Sequence, residues 1–245
     1  MPKSNKRLLI DAGNSHAKLV YATERQLLIE TFQRTTADKL EDLSDTISTV
    51  DEILLASVSA YDWASHLHGL PIPKRITIHH LQSPAQHSLL KNAYSEPSQL
   101  GIDRWLAMLG ARVSSDEALC VADLGTATTL DAVDHTGQHL GGWILPGLGT
   151  SREALYREGH LLQNAHQGHT PQFARNTADA IATGTCYAQA GAIQRFLDEM
   201  QQGGFATPRL FLTGGWAQEV LRLLSYEATL DPYIVFRGML AQHLS

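Results

Sequence analysis

Two stretches of this chain each place a carboxylate at the end of an apolar run and follow it with a glycine turn. They are LLIDAGNSHAKLVYA, Leu8 to Ala22, and LCVADLGTATTLDAV, Leu119 to Val133. Laid over each other without gaps, Asp11 matches Asp123 and Gly13 matches Gly125. A single Asp-x-Gly is an ordinary hairpin with a capping aspartate, and glycine suits such a turn because it accepts positive φ. Two in equivalent places point to a shared use. Amides exposed in a tight turn can bond phosphate oxygens, and a neighbouring carboxylate can hold the Mg²⁺ that balances the charge. Lys18, at the end of the first motif, adds a point charge for a phosphate.

A third segment, Gly101-Ile102-Asp103-Arg104, opens a run with apolar residues at helical spacing. Asp at a helix start is commonly a cap. The adjacent Asp-Arg pair also supplies a base for a hydroxyl and a planar fork for a carboxylate. GGWILPG, Gly141 to Gly147, allows either a bulge in a strand or a functional bend, and Thr213-Gly214-Gly215 would let backbone approach a flat ligand such as an adenine ring. His160, His166 and His169 tempt a metal reading, but their polar loop offers no fixed geometry. His79-His80 and the four tryptophans are explained by packing. Cys120 and Cys186 lack metal-ligand spacing and read as buried structural thiols.

The elements that must position these residues come in the same order twice. After the first hairpin the pattern predicts a strand at residues 26–34, a helix at 37–48, a strand at 52–57, a helix at 62–68, a strand at 75–81 and a helix at 103–114. After the second it predicts a strand at 139–145, helices at 151–158 and 176–202, a strand at 209–213, and helices at 217–224 and 232–243. Three strands, helix, strand, helix, repeated, is an α/β arrangement of two similar domains. The expected division is 1–115 and 116–245.

Composition narrows the partners. Net charge is -6 and the 19 Lys and Arg form no run, so neither nucleic acid nor an anionic membrane is expected. The apolar run after MPKSNKR is only Leu8-Leu9-Ile10, too short for a signal-peptide core, and no stretch approaches the roughly 20 residues of a membrane span. A cytoplasmic protein is expected. Neither G-x-x-x-x-G-K-[ST] nor G-x-G-x-x-G occurs, which argues against a Walker ATPase or a Rossmann dehydrogenase.

Together, DAGNSHAK (11–18), NAY (92–94), LGIDR (100–104), DLGTATT (123–129), GGWILPG (141–147), NTADAI (176–181) and LTGG (212–215) resemble the type III pantothenate kinases. That family performs the first step of coenzyme A synthesis and lies in the superfamily of acetate kinases, sugar kinases and actin. The resemblance implies two tandem ribonuclease H-like, actin-like ATPase domains, with ATP, Mg²⁺ and a monovalent cation, K⁺ or NH₄⁺, as cofactors. It assigns Asp11, Ala12, Gly13, Asn14, Ser15, His16, Ala17 and Lys18 to the first phosphate loop, Thr126 to the nucleotide, and Asp123 to the monovalent cation. Asp103 would accept the proton of the pantothenate hydroxyl. Tyr94, Gly101, Ile102, Asp103 and Arg104 would contact pantothenate, with Thr177 supplied by the second subunit of a homodimer. Ser15 stands where the family usually has Thr, and Ile102 where it usually has Ala. The rival readings are another small-molecule kinase of that superfamily and a non-catalytic transcriptional accessory factor.

Overall fold

The computed structural model describes residues 5–13, 16–24, 26–158, 168–205 and 208–244. The chain separates into two compact units, one formed by Met1–Ser114 with Tyr233–Ser245 and the other by Ser115–Pro232.

In the first unit β1 (Arg7–Ala12), β2 (Ala17–Ala22) and β3 (Leu27–Thr35) form an antiparallel meander, and β4 (Glu52–Ser57) and β5 (Thr77–His80) add in parallel beside β1. The strand order is β3-β2-β1-β4-β5. β1 is buried along its whole length, as a central strand with covered faces must be, and its apolar run reflects that. Leu8, Ile10, Leu19, Ile53 and Leu55 pack one face against Leu40 and Ile47, and against Trp63 and Leu67 of α2 (Trp63–Gly69).

Residues 37–48 do not form the continuous helix that the pattern predicts. Two single 3₁₀ turns lead into the four-residue α1 (Ser44–Ile47). Ser44 and Ser48 hydroxyls donate to the carbonyls of Glu41 and Ser44, and Thr49 donates to that of Thr46. Such local side-chain bonds compete with helix propagation. A two-stranded ribbon, β6 (Gln86–His87) with β7 (Leu90–Lys91), then precedes α3 (Ile102–Ser114).

The second unit repeats the plan. β8 (Leu119–Leu124), β9 (Ala127–Val133) and β10 (His139–Pro146) form the meander, followed by α4 (Leu148–Glu158), α5 (Thr177–Gln202), β11 (Arg209–Thr213), α6 (Ala217–Leu221) and β12 (Ala228–Leu230). The order β10-β9-β8-β11-β12 is that of the first sheet. Asn176 caps α5 by accepting the Asp179 amide, and Cys186, Ala190, Ile193, Leu197 and Met200 form its buried stripe. Tyr187, on the same helix, is exposed.

The chain then returns to the first unit through α7 (Ile234–His243). The sequence reading grouped residues 233–245 with the second domain; the structure places them with the first. α3 and α7 cross at two glycines. A Cβ on Gly110 would overlap the Ile234 carbonyl, and one on Gly238 would overlap that of Leu106. Trp105 Nε1 donates to Gln242 Oε1 at 2.9 Å across this crossing. Among the described residues no helix is long and apolar enough to cross a membrane.

Candidate functional site

The first hairpin brings Asp11 directly opposite Lys18 in the β1–β2 register, and Nζ donates to Oδ2 at 3.1 Å. The pair is unequal in exposure: the Lys18 side chain is 32% exposed and that of Asp11 is 10%. The Gly13 amide closes the turn on the His16 carbonyl at 3.1 Å. Asn14 and Ser15, also expected in this loop, lie outside the described residues. Gly13 does not adopt positive φ, and neither does Gly125, so the sequence argument for those two glycines is corrected. Among the described residues a Cβ at either would meet nothing closer than 3.5 Å. Their packing therefore does not require glycine there.

The substrate-type segment lies at the same end of the first sheet. The Val58 amide, just after β4, bonds the Ala12 carbonyl at 3.2 Å, and Val58 in turn adjoins Gly101. Gly101 lets the Asp103 side chain come close: a Cβ there would lie 2.6 Å from Asp103 Oδ1, which would have to turn away. Without it the Asp103 carboxylate folds back over the start of α3, where Oδ1 accepts the Arg104 amide at 2.8 Å. The position is also favoured by the positive end of the helix. Ile102 and Arg104 are buried. Arg104 Nη1 donates to the Tyr94 hydroxyl at 3.0 Å, and its guanidinium sits 5.8 Å from the Tyr94 ring centre.

Asn92 builds the loop that carries Tyr94, a role beyond what the sequence reading gave it. Its Nδ2 donates to the Pro84 and Pro97 carbonyls at 3.2 and 3.3 Å, and its Oδ1 accepts the Tyr94 amide at 2.9 Å. The neighbouring Ser83 hydroxyl holds the Leu100 carbonyl at 2.8 Å.

In the second unit three motifs converge on the loop between β8 and β9. The Gly125 amide bonds the Ala127 carbonyl at 3.0 Å, leaving Thr126 exposed at the tip. Gly147 donates its amide to the Thr126 carbonyl at 3.0 Å, and the Thr150 hydroxyl donates to the same oxygen at 2.7 Å. A side chain on Gly147 would overlap the Gly125 and Thr126 carbonyls. Gly214, at φ +91°, presses against Asp123 and Leu124, and the Trp216 amide donates to the Leu124 carbonyl at 3.1 Å. Gly141 is the bulge glycine of the GGWILPG run, at φ +117° where the β9–β10 register slips. An open cavity of about 420 Å³ borders Gly168, Gly215, Trp216, Gln218 and Arg222.

Behind Trp216 lies a cluster with no sequence signal, because its members are far apart along the chain. Arg152 Nη2 bonds Glu219 Oε1 at 2.7 Å and Cys186 Sγ at 3.2 Å, while its guanidinium covers the Trp216 ring at 5.4 Å. Burial, then the hydrogen bond it donates to Glu219, pushes the Cys186 thiol up to about 12. Burial would raise Glu219, but the Cys186 and Arg152 hydrogen bonds together with the arginine charges hold it below its ordinary value. Both cysteines are buried and free, as the sequence reading expects. Thr177 is exposed at the start of α5. His160 and His166 lie outside the described residues.

The chain is similar to proteins already known. The family model for type III pantothenate kinase matches residues 7–199. A type III pantothenate kinase of Halorhodospira halophila is 33% identical over 96% of both chains, and one of Dichelobacter nodosus is 35% identical over 97% of both. A crystal structure from Campylobacter jejuni, assigned to the Baf family of transcriptional activators, superposes with TM-score 0.61 at 24% identity, covering 96% of this chain and 98% of that one. The fold is that of the actin-like ATPases.

Proposed function

This chain belongs to the type III pantothenate kinase family, ATP-dependent enzymes that phosphorylate pantothenate, and we propose which of its residues carry that reaction. The observation that carries the proposal is the pair of Gly13 and Gly125. Both sit in Asp-x-Gly loops at the ends of central strands, and among the described residues a Cβ at either would make only ordinary contacts, the nearest at 3.5 Å. Residues 11–18 take the triphosphate through turn amides and the Lys18 ammonium, with Thr126 as a further nucleotide contact. The divalent ion that accompanies ATP supplies charge neutralisation, and Asp11 is the carboxylate assigned to hold it.

Asp103 takes the proton from the attacking hydroxyl of pantothenate. Arg104, held by Tyr94, faces the pantothenate carboxylate, and Gly101 and Ile102 contribute main-chain contacts, the Ile102 side chain being buried. Asp123 is assigned to a monovalent cation. The residue opposite it in the β8–β9 register is Thr129, so no lysine competes for the carboxylate from that position. The rival accessory-factor reading leaves the segment built around Asp103 without a role.

The enzyme is proposed to be a homodimer. β10 is an edge strand bearing exposed Leu140, Trp143 and Ile144, and Tyr187 of α5 is exposed as well. An apolar open edge of this kind calls for a cover, and a second copy would supply both the cover and Thr177. A solution mass measurement decides this. A cytoplasmic setting, where ATP and K⁺ are abundant, is proposed with it. The catalytic reading is tested by coupled ADP release with pantothenate and Mg²⁺-ATP in K⁺ or Na⁺ buffer. Turnover that requires pantothenate and is faster in K⁺ supports it; ADP release indifferent to pantothenate contradicts it.

A further inference from the structure

Away from the phosphate loops, at the other end of the first sheet, Glu52 on β4, His79 on β5 and His243 on α7 bring one carboxylate oxygen and two imidazole nitrogens within 4.8 Å of one another. The two carboxylate oxygens have different surroundings. Oε2 accepts Arg7 Nε at 2.6 Å and lies 3.3 Å from His243 Nε2. Oε1 faces His79 Nε2 at 3.8 Å, too far for a hydrogen bond, and that buried nitrogen has no hydrogen-bond partner among the described residues. A plain ion-pair cluster accounts for Arg7, Glu52 and His243. It leaves the His79 nitrogen unexplained, although a buried polar atom costs stability unless something satisfies it.

We propose that Glu52, His79 and His243 form a site for a divalent transition-metal ion of the zinc class, which ties the returning C-terminal helix to the first sheet. Two imidazoles and a carboxylate suit Zn²⁺, whereas Mg²⁺ and Ca²⁺ prefer all-oxygen sets. Tetrahedral zinc holds its ligand atoms about 3.3 Å apart, so the present spacing of up to 4.8 Å closes by side-chain rotations that move the atoms about 1.5 Å nearer. Arg7 holds Oε2, the oxygen that His243 also approaches, and so fixes the carboxylate with Oε1 toward His79, as partners of metal ligands commonly do. The fourth position is left to water.

The site stands apart from the nucleotide chemistry. Glu52 pairs with Arg7, and Asp11 lies four residues further along β1, about 13 Å away at strand spacing. All three ligands belong to one compact unit. The ligands come from three segments distant in sequence, so the metal closes long loops, where a cross-link restrains the unfolded chain most.

The test uses the full-length protein, stripped with a chelator and titrated with Co²⁺ as an optical probe and with Zn²⁺ by calorimetry. The expected result is one equivalent per chain with a visible cobalt band, and affinity weakened at least about tenfold in both H79Q and H243Q. H79Q changes a residue on an edge strand, so its folding is readily checked by circular dichroism. H169Q should bind as the wild type does. ADP release with pantothenate should be unchanged in H79Q, which separates this site from the kinase reading. Absence of the band, or its retention in either H79Q or H243Q, overturns the site.

Discussion

The two Asp-x-Gly hairpins occupy the same place in two sheets of the same strand order, yet they are built differently. In the first, Ala12 pairs with Ala17, with four residues of sequence between them; in the second, Leu124 pairs with Thr128, with three between them. That one-residue difference shifts the register. Lys18 falls opposite Asp11, whereas Thr129 falls opposite Asp123. The first aspartate gains an ammonium and the second does not gain one from that position. A duplicated scaffold has thus been specialised by a single residue of loop length.

The glycines sharpen the same contrast. At the loop tips a Cβ on Gly13 or Gly125 would make only ordinary contacts among the described residues, while Gly147 and Gly214 are packed against the second loop from behind. Tip and support should therefore respond oppositely to the same substitution. The largest effect is expected at the support: Gly147→Ala and Gly214→Ala should each lose about 2–4 kcal/mol through overlap and, at Gly214, through positive φ. Thermal unfolding would show this as a midpoint lowered by roughly 10 °C. Next come the tips: Gly13→Ala and Gly125→Ala should change stability by less than about 1 kcal/mol and weaken ATP by about tenfold or more, measured by calorimetry. If tip and support behaved alike, the distinction would fail.

A smaller effect concerns the aspartates. Asp123→Asn should abolish the advantage of K⁺ over Na⁺ in the ADP-release assay while leaving a folded protein. Lys18→Met should raise the KM for ATP and leave the cation preference intact. The smallest effect is one of pH. Glu219 is held below its ordinary value in the folded chain, so its contribution is fully present above the unfolded pKa, about 4.3, and is lost as pH falls through the folded one. Being partly exposed, it should contribute no more than about 1 kcal/mol. Urea unfolding between pH 7 and pH 3 should be less pH-dependent in Glu219→Gln.

What could be read in the sequence were features carried by contiguous residues. β4 and β11 fall on the expected residues because each is a short apolar run bounded by turn signals, and α5 starts within one residue of the expected 176. The segments of the site were visible for the same reason, since 11–18 and 101–104 are each one motif. Features that depend on distant partners were hidden. The return of α7 rests on two glycines 128 residues apart, Gly110 and Gly238, which show no periodicity. The ungapped overlay aligned Lys18 with Leu130 and could not reveal the shorter second loop. The ribbon β6–β7 and the three-residue β12 are too short to give a pattern, and the Arg152–Glu219–Cys186 cluster exists only once the chain is folded.

Asp103, folded back over Gly101 at the start of α3, is proposed as the base of the reaction. Asp103→Asn keeps the shape and removes the basic carboxylate, so kcat for pantothenate should fall by about two to four powers of ten, with ATP affinity and thermal stability close to wild type. Turnover at the wild-type rate in this variant would contradict the account.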